Sequence, residues 1–358
     1  MSPITESLKL ADQLNLIRYL VVWRINQPLV QPPDDLATAL STVLGTLITE
    51  RLPSTEAREW QKTRAAWDKA YGGAAAPEDA FALTAIPAAP WPLDVVLRPY
   101  PLKPLYGIGE KLVWELKLFG ASADHGVFLE YLLPAFEAAA LTTDARWKTQ
   151  NGLWGRFDIQ AIYAARGLQW EPVVTDGKLR LDYRATSTQW AEGLPFDAPA
   201  QRFQRLTWLT PFDFAAPSAA LYVRLQQQKQ LTKRQRRRQQ QTVIAEGDIP
   251  TLEGIVHALM ARLAPLLLGK RATPEDVWAL LPAETQAPLW DAFNTLQQAG
   301  QHRRHHLLPA PKDGWGRWIG WQTFTVPIPE ALIPYLELAS IVHVGNYTHF
   351  GCGTFMVQ

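Results

Sequence analysis

One stretch near the C-terminus, Ser340–Val357, constrains this chain more than any other; it reads SIVHVGNYTHFGCGTFMV. Two short β-type runs, Ile341–Val344 and Thr354–Val357, flank a loop with glycines at positions 345, 351 and 353. Glycine weakens a strand, so three this close in an apolar setting imply tight turns or close approach of backbone to a ligand. Between them stand Asn346, Tyr347, Thr348 and His349, all able to hydrogen-bond or stack. Successive N–H groups beside such side chains suit a phosphate or a nucleic-acid backbone. A glycine hairpin without any ligand has the same spacing.

The rest of the chain reads as α+β. Leu16–Ile25 (LIRYLVVWRI) is rich in β-branched and aromatic residues and predicts a strand that the prolines of 27–33 end. Asp34 or Asp35 then caps a helix to about Leu52, with Leu36, Leu40, Val43, Leu44 and Leu47 on one side. A second helix with a charged face follows over Thr55–Tyr71, then an Ala/Gly/Pro-rich loop over Gly72–Pro92. Val95–Leu118 reads as two strands about the turn at Gly107 and Gly109, and Gly126–Leu141 has helical spacing. Strand–helix–strand–strand–helix–strand is the order of a ferredoxin-like unit. Asp176–Gly177 and the polar Ala185–Pro199 lead toward a second unit, with the boundary near residue 200. That unit opens on a strand at 205–210 and continues with an amphipathic helix over Leu252–Leu268 and shorter helices at Pro274–Leu281 and Pro288–Gln298.

At 358 residues and 47% hydrophobic, the chain is long enough for two domains with real cores. A net charge of +1 gives no global sign of nucleic-acid binding, so any such site must come from local clustering. The single cysteine, Cys352, excludes an internal disulfide and a multi-cysteine zinc site. No signal-like leader and no membrane-length apolar run is present, which predicts a cytoplasmic protein. Most of the fifteen tryptophans are expected in the core, because strands such as Lys111–Phe119 alternate apolar and polar residues. The most polar piece, Gln226–Thr242, carries Lys229, Lys233, Arg234, Arg236, Arg237 and Arg238 with almost nothing to bury. It is either a solvated face or a phosphate-neutralising cluster.

The order of the C-terminal third adds a resemblance. Gly314–Thr325 (GWGRWIGWQTFT), a helix-like PEALIPYLELAS and then Gly345, Gly351 and Gly353 as a G-x5-G-x-G loop resemble the end of the CRISPR-associated endoribonucleases that process precursor CRISPR RNA, in the RAMP superfamily. Leu206–Phe214 (LTWLTPFDF) is similar to that family's Thr-Pro strand opening the second domain. The likeness spans most of the chain, firm at the C-terminus and loose before residue 100.

The resemblance implies two tandem ferredoxin-like (RRM-like) domains, over 1–199 and 200–358. It implies cleavage of CRISPR repeat RNA by a ribose 2′-hydroxyl, without metal or cofactor, and continued attachment to the hairpin inside a larger effector complex. Such chemistry needs a base, a proton donor and positive charge on the phosphate. In many members the catalytic histidine lies near the first helix, and here no histidine precedes His125. The candidates are therefore His302, His305 and His306, which stand with Arg303 and Arg304 in QHRRHHL. RNA contact is expected from Lys233, Arg234, Arg236, Arg237, Arg238, Arg303 and Arg304, and from Gly345, Asn346, Thr348, His349, Gly351 and Gly353. Catalysis, binding alone and a solvated loop all remain open for the histidine cluster; a metal site fits less well, since no nearby carboxylate or cysteine completes a ligand set. Tyr19, Arg24 and Lys62 are candidates for a histidine-free site; His125 and His257 read as structural, and His343 belongs to the last strand pair. Two rivals stand beside the nuclease: a non-cleaving RNA-binding module, and a nucleotide enzyme using the glycine loop. The latter lacks a G-x-x-x-x-G-K-[ST] or G-x-G-x-x-G signature.

Overall fold

The computed structural model describes residues 10–71, 89–194, 202–214, 249–300, 302–311 and 314–358, with only the backbone at Tyr71, His302 and Arg303. Mixed helices and strands build two antiparallel sheets.

Strand β1 (Leu16–Ile25) is the centre of the first sheet. Its odd positions, Ile17, Tyr19, Val21, Trp23 and Ile25, are buried under the helices, while Arg18, Leu20 and Arg24 lie on the opposite phase with more exposure. Helix α1 (Leu36–Arg51) starts where predicted: the Asp35 carboxylate accepts from the Thr38 N–H at 3.1 Å. Helix α2 (Ser54–Tyr71) follows, then β2 (Val95–Pro99) and β3 (Lys111–Phe119). After a π-helical turn at Phe128–Leu132 comes α3 (Leu133–Leu141), and then β4 (Phe157–Arg166), β5 (Gln169–Thr175) and β6 (Lys178–Leu179). The sheet order is β2-β3-β1-β4-β5-β6. Trp23 stacks on Phe157 at 3.9 Å and meets Trp114 edge-on, anchoring the helix-facing side. Truncating such a buried tryptophan costs about 3–5 kcal/mol.

The second sheet, ordered β10-β7-β9-β8, contains β7 (Arg205–Trp208), β8 (His302–Pro309), β9 (Trp318–Phe324) and β10 (Phe355–Val357). Between β7 and β8 lie α4 (Leu252–Leu263), α5 (Pro274–Trp278) and α6 (Ala283–Ala299); α7 (Ile333–Val342) precedes β10. Thr251 caps α4, and a Thr273/Asp276 capping box starts α5. These helices share one core with Leu206, Trp208, Phe324 and Phe355 on the inner side of the sheet. That core also takes in Leu14, Leu16, Val96 and Phe119, so the second set of helices packs on one end of the first sheet's outer face.

Four sequence expectations change. Asp176–Gly177, read as part of the exit from the first unit, makes the left-handed turn (φ 48° and 72°) of a β5–β6 hairpin. Ile341–Val344 is not a strand: Ile341 and Val342 finish α7, and His343 turns the chain with φ 63°. Helix α6 starts at Ala283, five residues before Pro288, rather than at the proline. The QHRRHHL segment, weighed as a solvated loop, lies in strand β8 from His302 onward. The boundary near 200 and the basic run 229–238 fall outside the described residues.

Candidate nucleic-acid interface

The side of the second sheet away from its helices is open, and strand alternation decides what it shows. Registers place Met356, Thr207, Trp321 and His306 in one cross-strand row and Arg205, Thr323 and Arg304 in the next. The Arg205 guanidinium lies 4.5 Å over the Trp321 ring, and the His306 ring lies against the same indole at 6.0 Å and 28°. Arg304 and His306 are both exposed. This face thus groups an imidazole, an indole and two guanidiniums, the side-chain types that stack bases and hold phosphates. Gly320 makes the pairing possible: at φ 137° it comes so close that a Cβ there would sit 2.0 Å from the His306 carbonyl.

Alternation also divides the predicted histidine cluster. His305 lies on the opposite phase, with the buried Leu307, and its Nδ1 is buried with no hydrogen bond among the described residues. Neighbours on a strand point to opposite faces, so His305 and His306 do not converge on one phosphate. His302 and Arg303 share the strand backbone.

The glycine loop does not form an open cradle; much of it is packing surface between the two halves. Gly351 (φ 79°) sits against β2, where a Cβ would come 2.8 Å from the Leu97 carbonyl. Gly353 (φ 84°) folds onto Val344, with a Cβ 1.9 Å from its carbonyl. Tyr347 is also left-handed, at φ 61°. His349, expected to touch RNA, is 2% exposed: its Nε2 and the Ser41 hydroxyl of α1 share a 2.9 Å hydrogen bond, and its ring meets Trp91 edge-on. Burial pushes its pKa down to about 3, so it stays neutral. Beside it, Phe350 stacks on Trp315, whose Nε1 donates to the Thr38 hydroxyl at 2.6 Å. Gly345, Asn346 and Thr348 remain half-exposed at the rim.

The outer face of the first sheet holds an ion cluster that sequence reading missed. Glu115 is 0% exposed, with Arg18 Nε 2.7 Å and Arg98 Nη1 3.4 Å from its oxygens and Lys117 Nζ at 3.8 Å. Burial alone would raise the Glu115 pKa, but Arg18, Lys117 and Arg98 hold it down to about 2. Burial takes Lys117 the other way, to about 7, despite Glu115. Its ammonium donates at 2.6 Å to the carbonyl of Ile341, in the last turn of α7, where cations are favoured. The guanidiniums of Arg18 and Arg98 lie over Trp170 and Tyr100 at 5.3 and 4.9 Å. The available signal was the off-phase of β1 and β3, where charged residues alternate with buried ones.

Other candidates fall elsewhere. Tyr19 is wholly buried, its hydroxyl sharing a 2.8 Å hydrogen bond with His125 Nδ1. Arg24 is exposed and paired with Asp158, Lys62 is exposed on α2, and His257 lies beside Trp278 on α4. A cleft of about 800 Å³ opens beside the start of α1, lined by Asp34, Thr38, Trp147, Gln150 and Trp315 among others. Among the described residues there is no group of three or more His, Cys, Asp or Glu placed to hold a metal, and no helix long and apolar enough to cross a membrane.

No protein-family model and no curated protein matches the chain. Solved structures similar to the chain include several Cas6 proteins. A Cas6 product complex is 16% identical with a TM-score of 0.41, covering 96% of this chain and 100% of that one. A Cas6 substrate-mimic complex is 13% identical with a TM-score of 0.40, covering 97% and 100%. A partial Cas6-RT-Cas1–Cas2 complex is 11% identical with a TM-score of 0.47, covering 96% of this chain and 46% of that one.

Proposed function

We propose that the chain is a CRISPR repeat-RNA endoribonuclease built from two tandem ferredoxin-like domains, over 1–199 and 200–358. The observation that carries this reading is the open face of the second sheet, with His306, Trp321, Arg205 and Arg304 in adjacent rows. Unpaired RNA is recognised by stacking on aromatic rings and by guanidinium contacts to its backbone. In the proposed reaction, a ribose 2′-oxygen attacks the adjacent phosphorus as its proton passes to a base. The bond to the 5′-oxygen breaks and that oxygen takes up a proton, leaving a 5′-hydroxyl and a 2′,3′-cyclic phosphate. No metal or cofactor enters this scheme. Of the predicted trio His302, His305 and His306, the exposed His306 is the one we assign to proton transfer, with Arg304 and Arg205 opposing charge on the phosphate. The cut RNA is then retained within a CRISPR effector complex.

The test is cleavage of an end-labelled repeat RNA from the neighbouring CRISPR array in excess EDTA. One specific cut giving a cyclic-phosphate end supports the reading; no binding to any repeat tried overturns it.

A second reading, a non-cleaving CRISPR-RNA-binding subunit, is favoured by the division of the histidines. His306 is the one imidazole on that face among residues with described side chains, and no second acid or base is paired with it. Tight binding without a cut selects this reading.

A further inference from the structure

The Glu115 cluster carries more positive charge than its single carboxylate offsets. Arg18 commits only Nε to Glu115, and Arg98 only one terminal nitrogen. The Nε of Arg98 is buried with no partner among the described residues. An unsatisfied buried donor is costly unless a ligand completes it. Both guanidiniums lie over aromatic rings, a contact that favours the charged group. Their side chains are 17% and 15% exposed, so part of each reaches the surface of the sheet. The polar surroundings are cationic in excess: Lys117 on β3, Arg262 on α4 and the neutral His343 after α7 face the cluster, against the carboxylates of Glu115 and, beside Arg262, Asp94.

We infer that Arg18 and Arg98 form a phosphodiester site for RNA on the outer face of the first sheet, separate from the His306 face. A phosphate there supplies a further anion to a cluster whose guanidiniums and ammonium outnumber its carboxylate. It also favours the charged form of Lys117, which titrates near neutrality, so RNA binding is coupled to proton uptake. This rests on the RNA-binding reading but tests separately from it.

The experiment uses the full-length protein and a single-stranded oligouridine, with affinity measured between roughly 50 and 200 mM salt, where each phosphate contact on a single strand contributes about 0.7 to the log–log slope. Arg98→Gln is expected to lower the slope by about that amount and to weaken binding roughly tenfold, whereas Arg98→Lys keeps most of the slope. Titration calorimetry at pH 7.5 in two buffers of different ionisation heat should show proton uptake in the wild type and none in Lys117→Met. Inorganic phosphate at matched ionic strength should not displace the RNA; if it does, the site belongs to a free phosphate and the inference fails. An unchanged slope in a folded Arg98→Gln variant also overturns it while leaving RNA binding intact. Failure of the wild type to bind any RNA overturns the underlying reading instead.

Discussion

Lys117 and Glu115 show how placement changes what a side chain does. Unfolded, Lys117 holds its proton up to its ordinary value of 10.5; folded, burial lets it go near 7. Between those values the unfolded chain binds more protons, so stability rises with pH across the interval. Lys117→Met should remove that rise, seen as urea midpoints that no longer increase from pH 7 to pH 10. Glu115 works at the acid end: its folded pKa of about 2 lies below the ordinary 4.5, so its contribution is present above 4.5 and is lost as pH falls toward 2. Glu115→Gln should cost about 3–5 kcal/mol near neutral pH, since it leaves three cations without their carboxylate. Neither residue was visible as special in the sequence. Both occupy polar positions of an alternating strand, and their partners come from distant parts of the chain: Arg18 and Arg98 at Glu115, the last turn of α7 at Lys117.

Single elements were largely legible, because local patterns determine them. Strand β1 spans the predicted Leu16–Ile25, and Asp35 caps α1 as its position suggested. The glycine loop shows the limit of that logic. Its spacing implied tight turns or close approach of backbone to a ligand, and at two of its glycines the group that approaches is protein: Leu97 at Gly351 and Val344 at Gly353. Spacing reports that a side chain is forbidden, not what fills the space. Gly353→Ala must place its Cβ against a backbone carbonyl at positive φ, and should destabilise by several kcal/mol or prevent folding. Gly107→Ala, with nothing within 4 Å of the new Cβ, should shift the thermal midpoint little. Similar midpoints for the two variants would refute the packing role of the loop. The histidine cluster was found as a cluster, but its division between faces required knowing that it is a strand.

At the scale of the whole molecule, the two halves are joined by hydrogen bonds as well as by apolar packing: Ser41 with His349, Thr38 with Trp315, and Lys117 with Ile341. Because His349 is held to about 3 against an ordinary 6.5, the unfolded chain protonates first and stability declines as pH falls between those values. His349→Gln should flatten part of that decline in urea titrations from pH 7 to pH 4. This joint leaves the outer side of the second sheet free, and the functional reading depends on that side. The direct test compares wild type, His306→Ala and Trp321→Ala on one repeat RNA, with affinity and single-turnover cleavage measured on the same samples. His306→Ala should bind within a few-fold of wild type and cleave at least about a hundredfold more slowly, while Trp321→Ala should lose affinity by about 1–3 kcal/mol. Wild-type cleavage and affinity in both folded variants would contradict the assignment of this face.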